Sequence, residues 1–264
     1  MERTATTAGR RSLGRTSIEG FRLHERAVRA GCRVERVLVS RSFETDPSER
    51  ARSLLRELSR GGAELIPAPD QAVLRLMEGR GGGGIVSLVP LPAPARVEGL
   101  LETVKGREAS VLVAAGVDDP GNLGALARTA LASGALAIAL TPPGDPYHPR
   151  AVRTSMGSIF RLPVVRYSGF REAVTGLAAL RFRTVGAVAR GGTPLPEVRI
   201  GAQRVALVVG SEAFGLSEAE AGLLDRRVTI PMAGEIDSYS VNAAAAILLY
   251  AISRLRQTAP GSRA

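Results

Sequence analysis

The feature that most constrains this chain is a series of six short, largely apolar segments in its C-terminal part, separated by stretches with helical character. The segments are Val111–Ala115, Leu136–Thr141, Leu162–Val165, Phe182–Ala189, Val205–Val209 and Arg227–Ile230. A strand with one wet face alternates apolar and polar residues, whereas a strand covered on both faces reads as a continuous apolar run. Helices are expected over 122–133, 170–180 and 241–256. The pattern predicts a mostly parallel sheet with helices on both faces, an α/β domain.

A smaller α/β module precedes it. A helix is expected over Ile18–Ala30 with Ser17 as its N-cap. A strand over Val34–Val39 follows, then a helix over Pro47–Arg60, with proline near its start and Gly61-Gly62 at its end. Strand Ala63–Ile66, helix Asp70–Met77 and strand Ile85–Val89 complete the alternation. The stiff segment Pro90–Ala95, PLPAPA, marks the domain boundary. The expected organisation is a disordered basic tail over 1–16, a small α/β domain over 17–92 and the larger domain over 98–258.

Composition narrows the partners. The formal charge is +10, and Lys105 is the only lysine. A GC-rich coding preference accounts for arginine over lysine, but not for the excess of base over acid. That excess points to an anionic partner, of which nucleic acid is the commonest. Arg3, Arg10, Arg11 and Arg15 stud the tail, and Arg22, Arg26, Arg29 and Arg33 recur at helical spacing. The ordinary reading of such a stripe is a solvated helix face, and the functional one is a row of phosphate contacts.

Other chemistries find little support. Cys32 is the single cysteine, so no internal disulfide or cysteine metal cluster is expected. His24 and His148 stand far apart and are expected in packing or surface roles, without a metal. No G-x-S-x-G elbow or P-loop occurs. Gly79, Gly81 and Gly84 match G-x-G-x-x-G, but they follow a helix and precede a strand, the reverse of the dinucleotide-binding order. The longest apolar run, Ala243–Ile252, falls short of the roughly 18 residues that span a bilayer. With no signal-like N-terminal stretch, a cytoplasmic location is expected.

Ligands of open α/β sheets sit beyond the C-terminal ends of strands, and three loops there carry unusual chemistry. In the first, Asp118–Ala130, Pro120-Gly121 makes a turn, Asn122 is suited to cap a helix and Arg128 lies almost two turns inside. In the second, Val209–Ser217, Gly210 and Gly215 allow close backbone approach, and Glu212 puts a carboxylate at the strand tip. In the third, Ile230–Ala246, Pro231 ends a strand, and Ser238, Ser240 and Asn242 cluster at the mouth of an alanine-rich helix. Each alone also reads as an ordinary capped turn.

Their order and spacing resemble the signature motifs of the SpoU/TrmH class of SPOUT RNA ribose 2′-O-methyltransferases. The first motif has the form N-x-G-x-x-x-R-[ST]-A, matched by Asn122, Gly124, Arg128, Thr129 and Ala130. The second is matched by Gly210, Glu212 and Gly215, and the third, IPM-x-G followed by a serine, by Ile230, Pro231, Met232, Gly234 and Ser238. The segment from His148, HPRAVRTSMGSIFRLPVV, is similar to the family's central stretch, and the resemblance covers about 109–256. The first module looks like the ribosomal-protein-like RNA-binding domain that many members carry.

The resemblance implies a trefoil knot at the C-terminal end, a homodimer, an RNA partner (rRNA or tRNA), S-adenosylmethionine as cofactor and no metal. It implies Arg128 as catalytic residue, with Asn122, Glu212, Ser238 and Ser240 shaping the site. Val209, Gly210, Gly215, Ile230, Met232, Tyr239 and Val241 would hold the cofactor. Arginine can act there as a desolvated base, or by gripping phosphate and a forming alkoxide. The third motif departs from the family's usual S-L-N-V-[SA]. Ser240 stands at the asparagine position, Tyr239 at the leucine, and Asn242 comes two residues later. Two helical residues are about 200° of rotation, so Asn242 cannot take over the missing side chain's place. The competing reading is a non-catalytic RNA-binding relative that keeps the fold.

Overall fold

The computed structural model describes residues 2–77, 84–104, 108–199, 203–234 and 236–257. The chain divides into two compact units, residues 1–93 with 145–161, and residues 94–144 with 162–264. Gly79, Gly81 and Lys105 lie outside the described residues.

The smaller unit contains α1 (Thr7–Leu13), β1 (Arg15–Glu19), α2 (Phe21–Arg29), β2 (Arg36–Ser40), α3 (Arg41–Glu44), α4 (Glu49–Arg60), β3 (Glu64–Ala68), α5 (Asp70–Leu76), β4 (Ile85–Pro90) and, from later in the chain, α8 (Pro149–Thr154). Its sheet runs β1-β4-β2-β3, with β4 antiparallel to both neighbours and β2 parallel to β3. Two expectations fail here. Ser17 and Ile18 do not open a helix; they pair with Leu88 and Ser87 of β4, and the helix starts only at Phe21, after Gly20. Pairing with a central strand decided the conformation of a short segment whose local pattern fits either state.

The N-terminal residues are not a disordered tail. Thr6 caps α1 by accepting from the Gly9 amide, and Gly14 closes the helix in the left-handed region. Arg10 is 1% exposed. Its Nη2 and Nε donate to Asp145 Oδ2 at 2.5 and 3.2 Å, and Nη1 donates to the Thr4 carbonyl at 2.6 Å. Arg15 is likewise tied, to both oxygens of Glu35 at 2.6 and 3.0 Å. Segment 145–161 belongs with this unit because it supplies Asp145 and further partners. The Tyr147 carbonyl accepts from the Thr16 hydroxyl at 2.8 Å, and Glu19 pairs with Arg153 at 3.2 Å. The boundaries expected at 17–92 and 98–258 therefore omit a discontinuous piece, which no local composition shift announces. His24 is buried between the Gly20 carbonyl, 2.7 Å away, and the Ser87 hydroxyl, and burial pushes its pKa down to about 4. His148 caps α8, its Nδ1 accepting from the Arg150 amide at 3.1 Å. Arg22, Arg26, Arg29 and Arg33 are exposed.

The larger unit contains α6 (Val97–Thr103), β5 (Ala109–Ala114), α7 (Pro120–Ala132), β6 (Ala137–Leu140), β7 (Val164–Arg166), α9 (Phe170–Ala179), β8 (Arg183–Ala187), β9 (Thr193–Pro194), β10 (Arg204–Val209), α10 (Glu218–Ala221), β11 (Arg226–Thr229) and α11 (Val241–Gln257). The seven strands run β7-β6-β5-β10-β8-β11-β9, and every pairing is parallel. The six expected strands are all present within two residues at either end; β9, two residues long, carries no periodicity to read. Val111–Val113 and Val205–Val208 are fully buried, as strands covered on both faces must be. Burial of each such aliphatic side chain contributes about 1.5–3 kcal/mol. α7 buries Leu123, Gly124, Leu126, Ala127 and Ala130, and packs along α11. Among the described residues no helix is long and apolar enough to cross a membrane.

Candidate functional site

In an all-parallel sheet the C-terminal ends of the strands share one edge. β5, β10, β8 and β11 are consecutive in the sheet, so the loops after them meet. A cavity of about 590 Å³ lies among them, the size of an ordinary small-molecule site. It is lined by Asn122, Val209, Gly210, Glu212, Gly215, Ile230, Met232, Ser238, Tyr239, Ser240 and Val241, every residue nominated from the sequence except Arg128.

The loop after β10 is a tight backbone hairpin. The Gly215 amide donates to the Ser211 carbonyl at 2.8 Å, and Gly215 has φ +65°. A Cβ on Gly210 would fall 2.2 Å from the Gly215 carbonyl carbon, so only glycine lets the loop close. The hairpin bares backbone groups to the cavity and carries Phe214 at its tip, 91% exposed. Asp119, not Asn122, caps α7: its Oδ1 accepts from the Asn122 amide at 2.9 Å, with Pro120 in the first turn. The Asn122 side chain is thereby released to donate from Nδ2 to Glu212 Oε1 at 2.6 Å, joining the first and second loops.

The third loop, 230–240, has no regular structure over its described residues and ends at α11. Ser240 is that helix's N-cap. Its Oγ accepts from the Ala243 amide at 3.3 Å and its carbonyl from the Ala244 amide at 2.9 Å. Asn242 does not line the cavity; its Oδ1 accepts from the Thr129 hydroxyl of α7 at 2.8 Å. The 200° between Ser240 and Asn242 thus separates a cavity-facing residue from a helix-facing one.

A fourth loop was missed from sequence. Ala187–Gly191, after β8, lines the cavity, and Arg190 pairs with Asp237 of the third loop at 3.3 Å. Gly192 lies so close to β11 that a Cβ would meet the Val228 carbonyl carbon at 2.8 Å. The signal was available: ARGG, 189–192, follows an apolar strand as Gly210 does.

Arg128 stands apart from the cavity. It is exposed on α7 and has no hydrogen-bond or ion-pair partner among the described residues. Six residues after Asn122, it is turned about 240° around the helix from it.

The cavity offers an apolar floor from Val209, Ile230, Met232 and Leu248, the carboxylates Glu212 and Asp237, serine hydroxyls and unprotected loop backbone. Such a set suits a ligand with a flat apolar body, amino and hydroxyl groups. Among the described residues no cluster of histidine, cysteine or carboxylate side chains suits a metal ion.

Residues 109–250 match the model of the SpoU rRNA Methylase family. An uncharacterized tRNA/rRNA methyltransferase of Mycobacterium avium is 32% identical over 233 residues, covering 87% of this chain and 74% of that one. The crystal structure of the SpoU methyltransferase AviRb from Streptomyces viridochromogenes, in complex with AdoMet, superposes with a TM-score of 0.81 at 29% identity, over 97% of both chains. An RNA 2′-O ribose methyltransferase structure gives 0.79 at 29% identity, over 97% of this chain and 94% of that one.

Proposed function

The chain belongs to the SpoU rRNA methylase family, and from that premise we propose that it transfers a methyl group from S-adenosylmethionine to a ribose 2′-hydroxyl of structured RNA, rRNA or tRNA. The observation that carries this reading is the convergence of the first, second and third loops on one cavity, with Asn122 bonded to Glu212 at its rim. The ribose position is supported by the likeness to a 2′-O ribose methyltransferase.

The cavity fits the cofactor in volume and chemistry. Gly210 and Gly215 leave backbone where side chains would block entry; with Val209, Ile230, Met232, Tyr239 and Val241 they would hold it. When bound, S-adenosylmethionine supplies an electrophilic methyl group on a sulfonium. Positioning is then the main task left to the protein. The Asn122–Glu212 pair holds the rim, and Ser238 and Ser240 present hydroxyls beside it. Arg128 is the proposed catalytic residue. Its exposure favours an electrostatic role over that of a base, because a hydrated guanidinium is a good phosphate ligand and a poor proton acceptor. It would grip the phosphate next to the target ribose and stabilise the developing negative charge on the 2′-oxygen as the O–CH3 bond forms and the S–CH3 bond breaks, with S-adenosylhomocysteine leaving and the hydroxyl proton passing to solvent.

The same reading extends to a trefoil knot, a homodimer, an RNA-binding role for the smaller unit and a cytoplasmic location. Tyr250, 66% exposed on α11, supports a covered face there, and the exposed Arg22, Arg26, Arg29 and Arg33 support RNA contact. The test is transfer of tritiated methyl groups to total RNA, followed by alkaline hydrolysis. Label in alkali-resistant dinucleotides is expected, because a 2′-O-methyl group blocks cleavage. Label in mononucleotides would move the target to a base. No transfer by protein that binds the cofactor would leave an RNA-binding relative.

A further inference from the structure

We infer that Asn242 is a positioning residue for the proposed reaction: through its hydrogen bond to Thr129 it sets the register of α7, the helix that carries Asn122 and Arg128. The inference rests on the role proposed for Arg128, and it begins with how α7 is held. The buried side of this helix consists of leucine, alanine and glycine. Such a surface is attractive but non-directional, and names no specific partner that would single out one register. Two side-chain hydrogen bonds supply the direction. One joins Asn122 to Glu212 in the loop after β10, and the other joins Thr129 to Asn242 in the first turn of α11.

The spacing gives the pair its force. Seven residues of α-helix rotate by about 700°, within roughly 20° of two full turns, and rise about 10 Å. Asn122 and Thr129 therefore lie on one stripe of α7, pinned at two points to two different elements of the cavity wall. Two such ties on one side of a helix that also packs on β5, β6 and α11 oppose both sliding along its axis and rotation about it. Arg128, adjacent to Thr129 and itself unpartnered among the described residues, takes its place from that line.

The altered third motif then has a division of labour. Ser240 retains the cavity-facing, helix-capping place, for which serine and asparagine are about equally good caps. Asn242 uses the opposite side of the same turn to reach α7. The asparagine two residues on is thus a tie between the first and third motifs, and not a displaced cavity residue.

The test compares Asn242→Ala, Asn242→Asp, Thr129→Val and the double variant Thr129→Val/Asn242→Ala in the full-length protein. Methyl transfer to RNA is measured under single-turnover conditions, S-adenosylmethionine affinity by calorimetry and amide hydrogen exchange across 120–132. Asn242→Ala and Thr129→Val should each slow transfer by about five- to tenfold, the loss of one hydrogen bond, with cofactor affinity within about twofold. The double variant should be no slower than either alone. Exchange across 120–132 should rise in both. Asn242→Asp keeps an acceptor for the threonine hydroxyl and should restore both rate and protection, which a loss of bulk packing would not allow. Unchanged rate and exchange in Asn242→Ala, additive losses in the double variant, or a rate loss that follows cofactor affinity would each overturn the inference. If the wild-type label is absent from ribose, the functional reading falls, and the exchange data still judge the tie.

Discussion

The two units of this molecule spend their polar residues in opposite ways. The smaller one buries Thr4, Arg10, Thr16, His24, Ser40 and Ser87 almost completely. The larger one fills β5 and β10 with valine, leucine and alanine, and keeps Asn122, Glu212, Ser238 and Ser240 at the open ends of its strands. In the first unit the polar groups are buried ties between segments distant in sequence; in the second most of them, ties included, stand at the rim of an apolar support. Burial therefore sorts the charged residues of this chain. A buried arginine such as Arg10 marks architecture, and an exposed one such as Arg128, without a partner among the described residues, is the one proposed for chemistry.

That contrast is most open to attack at Arg10. Removing one partner of a buried ion pair strands the other charge and costs about 3–5 kcal/mol. Arg10→Met should lower the stability of the smaller unit by that amount in urea unfolding, while S-adenosylmethionine affinity stays within about twofold. Adding Asp145→Leu should recover most of the loss. A cost below about 1 kcal/mol would break the contrast. The same geometry makes deletion of residues 1–16 a folding experiment before it is an RNA-binding one.

Acid should also distinguish the units. His24 is held neutral by burial, so its contribution is whole above about pH 6.5 and is lost as the pH falls toward about 4. The total is about 3 kcal/mol, confined to the smaller unit. Asp145 adds to this at lower pH. Burial opposes its charge, but the Arg10 guanidinium outweighs burial and holds its carboxyl below the usual aspartate range, so its tie weakens on protonation. Hydrogen exchange between pH 7 and 4 should show loss of protection around β4 and α2 before β5 and β10. Simultaneous loss in both units, or an unaltered profile in His24→Gln, would assign the sensitivity elsewhere.

For the groups proposed to act on RNA the order reverses, with rate changing and stability not. Arg128→Ala should reduce methyl transfer by at least about a hundredfold, equivalent to about 2.7 kcal/mol, with cofactor affinity and unfolding midpoint nearly unchanged. Turnover above about a tenth of wild type would remove Arg128 from the catalytic role. The smallest effect is expected at Ser240. Ser240→Ala loses a helix cap worth about 1 kcal/mol beside the cavity, whereas Ser240→Asn should keep or raise activity. Loss of transfer in Ser240→Asn would show that this position makes a contact only serine can make.

Sequence alone determined the larger unit in outline, because a parallel sheet covered on both faces leaves a local record. The central buried strands are continuous apolar runs, and the strand-end loops carry their own glycines and polar side chains. The six strands and the three loops were legible for that reason, and the resemblance of those loops to family motifs pointed to the cavity-lining residues from Asn122 to Val241. Tertiary structure decided what depends on partners far along the chain. Ser17 and Ile18 became strand by pairing with β4, and the N-terminal arginine-rich stretch became α1 because Asp145 waits 135 residues away for Arg10. Asp119 took the cap of α7, which left Asn122 for Glu212, and Asn242 found Thr129 across two packed helices. Hydrophobic periodicity is written residue by residue into the strand or helix that bears it. The partner of a hydrogen bond or an ion pair exists only once the chain has folded, and no local pattern records which distant group it will be.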